Sequence, residues 1–154
     1  MIRLSILSIA MIAFAAAATA QGPSPLPSAL DASLSAGFTP DPYRIRLQTG
    51  GGIDASQARG PDCAGFIAQA PDFDLFYNGG SLPLIISVNA EIDTTLVIHA
   101  PDGNWHCDDD SGQGLNPSIR FLTPPSGLYG IWIGTYADAS REEATLSISE
   151  LFSE

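Results

Sequence analysis

The chain has 154 residues, with 17 Asp and Glu against six Arg and no Lys, a formal net charge of −11. That length holds one ordinary domain, and 45% hydrophobic with only 15% charged residues supplies a core and excludes disorder by composition. Six scattered arginines cannot build a phosphate-tracking face, so nucleic acid is a poor partner.

Met1-Ile2-Arg3 carries one positive charge, and Leu4 to Ala18 follow as an apolar run broken only by two serines. Ala18-Thr19-Ala20 has the small-x-small pattern that signal peptidase reads, which predicts an export signal over residues 1–20. The run falls short of the roughly 20 residues a spanning helix needs. The mature chain, Gln21–Glu154, has no other stretch apolar enough to cross a membrane, and the expected location is the periplasm or the external medium. Cys63 and Cys107 are the two cysteines. In an exported chain they predict a single disulfide, because their 44-residue separation is unlike C-x-x-C and two cysteines fall short of a four-ligand zinc site.

Residues 21–42 hold five prolines together with many Ser and Ala, and read as an extended, weakly ordered lead-in. The domain is expected over 43–154. Tyr43, Ile45 and Leu47 alternate with Arg44, Arg46 and Gln48, the period of a half-buried strand closed by Gly50-Gly51-Gly52. Phe73, Leu75 and Tyr77 alternate in the same way before Asn78-Gly79-Gly80. Strands follow over 82–88, where Pro83 is tolerated near the start of an edge, and over 94–99. Pro101-Asp102-Gly103-Asn104 is a turn, since Pro fixes φ and Gly or Asn takes positive φ. Strands over 118–122, 127–136 and 144–151 complete a set of about eight, with no amphipathic helix. The fold class is therefore all-β, an antiparallel β-sandwich or jelly roll.

Asp93-Thr94-Thr95-Leu96, Pro101-Asp102-Gly103-Asn104, Asp109-Asp110-Ser111-Gly112, Ser126-Gly127-Leu128-Tyr129 and Ile131-Trp132-Ile133-Gly134 follow one another in that order. In order and spacing they resemble the bacterial pre-peptidase C-terminal domain, over about 45 residues of this chain. The resemblance implies a secreted β-sandwich of the kind appended to extracellular peptidases, here as a stand-alone exported protein. Related domains in clostridial collagenases bind collagen and carry calcium. The Cys63–Cys107 pair is not a general feature of that family.

Two chemistries compete in the loop after residue 100. Asp110-Ser111-Gly112-Gln113-Gly114 looks like a damaged form of the G-D-S-G-G-P nucleophile motif of trypsin-like peptidases, and His106-Cys107 like their A-x-H-C. Such enzymes draw nucleophile, base and orienting group from distant segments of two barrels. Here His106 and Ser111 lie five residues apart in a chain with no room for a second barrel, so a serine peptidase is the disfavoured alternative. Asp102, Asn104, Asp108, Asp109 and Asp110 instead concentrate oxygen ligands in nine residues, with Asp93 able to approach from the preceding strand end. That donor set suits calcium. The spacing excludes an EF-hand, because Gly112 and Ile119 stand at positions 5 and 12 counted from Asp108. Equally, Asp and Asn shape turns by hydrogen-bonding nearby amides with no metal at all. Trp132 is expected in the core. Trp105 either covers the disulfide or stands exposed to a ligand, and His99 and His106 are expected to be structural. The functional expectation is a non-catalytic exported module that binds or stabilises an extracellular or envelope protein or polysaccharide, with calcium as its candidate cofactor. A purely structural envelope protein is the remaining alternative.

Overall fold

The computed structural model describes Ser28 and residues 30–154. The expected export signal, its cleavage after Ala20 and residues 21–27 lie outside the described residues. Eleven strands and one short helix follow in chain order: β1 Asp31–Ser35, β2 Tyr43–Gln48, β3 Ile53–Asp54, α1 Ala55–Arg59, β4 Phe66–Ile67, β5 Phe73–Asn78, β6 Leu84–Asn89, β7 Thr94–His99, β8 Trp105–Asp108, β9 Ser118–Phe121, β10 Gly127–Thr135 and β11 Glu143–Ser149. They form two sheets packed face to face, the all-β sandwich that alternation and turn spacing predict.

The first sheet runs β1-β5-β10-β7-β8, with β4 and then β3 added beside the far end of β10. The second runs β2-β11-β6-β9. Every pairing is antiparallel except β1 with β5, where Asp31–Ser35 lies parallel to Asp74–Asn78. β1 falls inside the stretch read as a lead-in. Its alternation was masked by short, polar residues, and Ala32 and Leu34 nonetheless turn inward onto the core. Pro83 is not in a strand at all: β6 begins at Leu84, and its interior place between β11 and β9 could not accommodate a residue without an N–H.

The main core lies between the sheets. Phe73, Leu75, Leu96, Ile98, Tyr129, Ile131 and Ile133 of the first sheet meet Leu84, Ile86, Leu146 and Ile148 of the second, all fully buried. Their neighbours in sequence point to the opposite face, as a period of two requires. On the first sheet that outer face carries a second, smaller cluster of Ala55, Cys63, Ile67, Val97 and Trp132, roofed by the segment from Ile53 to Ile67. So Trp132 is core as expected, but of the lesser core.

The roof is held by local chemistry and one covalent link. Asp54 caps α1: its carboxylate accepts from the Ser56 amide at 2.9 Å and from the Gln57 side-chain amide at 2.8 Å. Gly60, with φ +127°, ends the helix. Cys63 then joins Cys107 of β8, their Cα atoms 5.1 Å apart. The predicted disulfide thereby clips the roof to the sheet.

A seam on β10 explains how one strand serves two neighbours. β5 pairs β10 as far as Ile131 and β4 takes over at Thr135. Between them the Ile133 amide donates to the Asp72 carboxylate at 2.8 Å, and the Gly50 amide donates to the Ile133 carbonyl at 2.8 Å. Burial pushes the Asp72 carboxyl up to about 7, against the opposing pull of the Ile133 amide and the Arg141 charge.

Candidate functional site

Asp102 and Asp108–Asp110 occupy opposite ends of one hairpin. β7 and β8 pair with His99 opposite Trp105 and Leu96 opposite Asp108. Asp102 therefore sits in the connecting turn, while Asp109 and Asp110 lie beyond the far end of β8. The four residues of β8 separate Asp102's turn from Asp109, about 13 Å at the rise of a strand. One ion cannot be shared across that distance.

Each end is shaped by hydrogen bonds of its own. Asp102 accepts from the Asn104 amide at 3.0 Å and from its side-chain amide at 2.9 Å, an arrangement that holds its carboxyl below the usual range. Asp108 accepts from the Ser111 amide at 3.0 Å, the Ser111 hydroxyl at 2.6 Å and the Ser118 amide at 2.8 Å. Its lone pairs are occupied in tying the loop to β9. The carboxylates that do approach one another are Asp93, Asp109 and Asp110. Burial, then the charge of Asp110, then that of Asp109, raise the Asp93 carboxyl, and Asp93 Oδ1 is buried without a hydrogen-bond partner. Among the described residues no three His, Cys, Asp or Glu side chains stand close enough to hold a metal as they lie. Asp102 is thus set apart from Asp108, Asp109 and Asp110.

The peptidase-like residues are placed for other purposes. The Ser111 hydroxyl donates to Asp108. His106 turns inward, its ring edge-on to Phe121 at 4.9 Å, with Nε2 buried and unpartnered. No histidine bonds the serine among the described residues, so the serine–histidine pair of a trypsin-like site is not assembled.

The words of the family resemblance do structural work throughout. Thr94 donates to Asn116 Oδ1 at 2.9 Å in the interior. Ser126 Oγ accepts from the Gly79 amide at 2.9 Å, and Tyr129 hooks back to the Pro125 carbonyl at 2.7 Å. That phenol is pushed up to about 12 by burial and, less, by Asp102.

Trp105 belongs to the outer face of the first sheet. Its ring lies 4.6 Å from His99 and 5.3 Å from Trp132, and the Arg59 guanidinium stands over it at 4.5 Å. It covers the region of the disulfide while remaining half-buried. Beside this stack the register aligns Trp105, His99, Gly130 and Asp74 in one row across β8, β7, β10 and β5. With no side chain at Gly130, the row opens into a groove of about 220 Å³, walled by Trp132 and Leu128 and rimmed by Pro101 and Gly103. Sequence reading missed Asp74 and Gly130. The available signal was a glycine inside an otherwise apolar strand, which marks close approach of another group. Compared with known proteins, the chain matches no family model and no curated protein.

Proposed function

We propose that this protein is a non-catalytic β-sandwich module, exported and acting outside the cytoplasm by binding or stabilising a partner, in the manner the pre-peptidase C-terminal resemblance implies. The observation that carries the reading is the fate of the acidic, serine-containing loop. Its hydroxyl and its best-placed carboxylate bond each other and β9, which is loop architecture and supports a structural role for Ser111. The Cys63–Cys107 link suits an oxidising compartment. The test is to fractionate cells that express the full chain and to treat the recovered protein with a serine-directed fluorophosphonate. The expected product starts at Gln21, has both cysteines oxidised and takes no label. Label that disappears in Ser111→Ala would overturn the reading in favour of a peptidase.

A calcium-stabilised form of the same module is favoured by one feature, the Asp93 carboxyl, whose Oδ1 is unpartnered and which feels the Asp110 and Asp109 charges. A cation there would relieve their repulsion. Melting in EDTA and again in millimolar calcium tests it. A rise with calcium, absent with magnesium and lost in Asp93→Asn, is the expected result. An unchanged melting temperature returns all of these aspartates to turn chemistry.

A further inference from the structure

The roof formed by Ile53–Ile67 covers only part of the outer face of the first sheet. Beyond it, Phe76 and Leu128 stand opposite each other on β5 and β10, 49% and 40% exposed. Next to them lies the groove over Gly130, whose walls are largely apolar and whose end carries Asp74. One Asp74 oxygen accepts from the Ser28 amide at 2.8 Å; the other, Oδ1, faces the notch, 3.9 Å from where a Cβ on Gly130 would lie. Asp74 is itself 8% exposed. Two more carboxyls accompany it, Asp31 as its register partner on β1 and Asp102 in the rim turn, while His99 stands on the other side of Gly130. Neither ion pair found among the described residues, Arg44 with Glu154 and Arg46 with Glu143, neutralises any of the three.

We infer that this groove receives a single cationic side chain, an arginine, from a basic partner polypeptide. Volume, lining and charge each select that occupant. At about 220 Å³ the groove is smaller than the roughly 300–1,000 Å³ that drug-sized ligands occupy, so it takes one long side chain rather than a whole small molecule. Trp132, Leu128 and Pro101 suit a methylene stem, and a carboxylate at the end suits the charged head. A chain with net charge −11 attracts basic partners and repels acidic ones. The same face already stacks one arginine on its tryptophans, on the roofed side, where Arg59 lies over Trp105 at 4.5 Å and Trp132 at 5.3 Å. Arginine, weakly hydrated and planar, is favoured over lysine in a groove with walls this apolar. Phe76 and Leu128 would then meet apolar residues flanking that arginine.

This inference deepens the binding reading and rests on it only for the partner's being met outside the cytoplasm. The probe is acetyl-Gly-Arg-Gly-amide, titrated into the exported protein while backbone amide resonances are followed, with the citrulline peptide as its neutral twin. Shifts confined to Gly103, Leu128, Gly130 and their neighbours are expected, with the citrulline peptide and Asp74→Asn each weakening binding about tenfold or more. Asn at 74 still accepts from the Ser28 amide, so the fold is retained. Gly130→Ala, whose Cβ would stand 3.2 Å from Trp132 Cζ3, should fill the notch and abolish the shifts. Equal binding of both peptides, or shifts that persist in Asp74→Asn, would overturn the proposal. Shifts that depend on protein concentration without peptide would also overturn it, by making a second copy the occupant. Either failure leaves the fluorophosphonate result, and so the non-catalytic reading, untouched.

Discussion

The two halves of the first sheet's outer face use the same strands to opposite ends. Over Trp132, Val97 and Cys107 a short capped helix, a disulfide and a stacked arginine exclude water. Over Gly130, Phe76 and Leu128 nothing among the described residues does so. The difference lies in a step of two residues along one face of β10: Trp132 fills that face, and Gly130 leaves it bare. The first sheet is thus buried on both sides at one end and, among the described residues, on one side at the other.

Breaking the roofed half should give the largest effects. Trp132→Ala removes the bulk of the smaller core, and a loss of about 3–5 kcal/mol is expected from its denaturant midpoint. Replacing Cys63 and Cys107 together by Ala frees a 44-residue loop in the unfolded chain, with an expected loss of about 4 kcal/mol by the same measurement.

The seam between the halves should respond to pH. Asp72, raised to about 7 in the native state, holds a proton there that the unfolded chain releases near its ordinary value of 3.8. Its contribution to stability is therefore fullest below about pH 4 and falls as pH rises toward about 7, by on the order of 4 kcal/mol. Asp72→Asn should flatten that slope in melts recorded across the window. The opposite trend, stability rising over the same range with the wild-type slope kept in the variant, would show that other carboxylates dominate.

The open half should be nearly silent to stability measurements. Phe76→Thr is expected to change the denaturant midpoint by no more than about 0.5 kcal/mol, because the ring is half-exposed and β-branched Thr suits a strand. A larger loss would mean that the face is covered after all. The same variant should weaken any partner that the groove captures.

How much of this was legible depends on whether a feature is local. Alternation at Tyr43–Gln48, Phe73–Tyr77 and Thr94–His99 gives β2, β5 and β7 almost to the residue, because side-chain period is a property of the strand itself. The disulfide was legible from cysteine arithmetic. β3, β4 and β8 were not, since two to four residues carry no readable period and exist only where β10 and β7 offer a ladder. The aspartates near Ser111 looked like one oxygen-rich site because they are close in sequence. The hairpin sends Asp102 to its other end, while Asp93 arrives from β7.

By itself, then, the sequence determined an acidic all-β chain with one disulfide, its inward-facing residues and its turns. These follow from composition, period and the φ demands of Gly, Pro and Asn, all of which act within a few residues. Which face of β10 would be roofed, and that Trp105, His99, Gly130 and Asp74 would share a row, only the tertiary structure decided. Those residues belong to four strands, and hydrogen-bond register between distant segments sets their alignment.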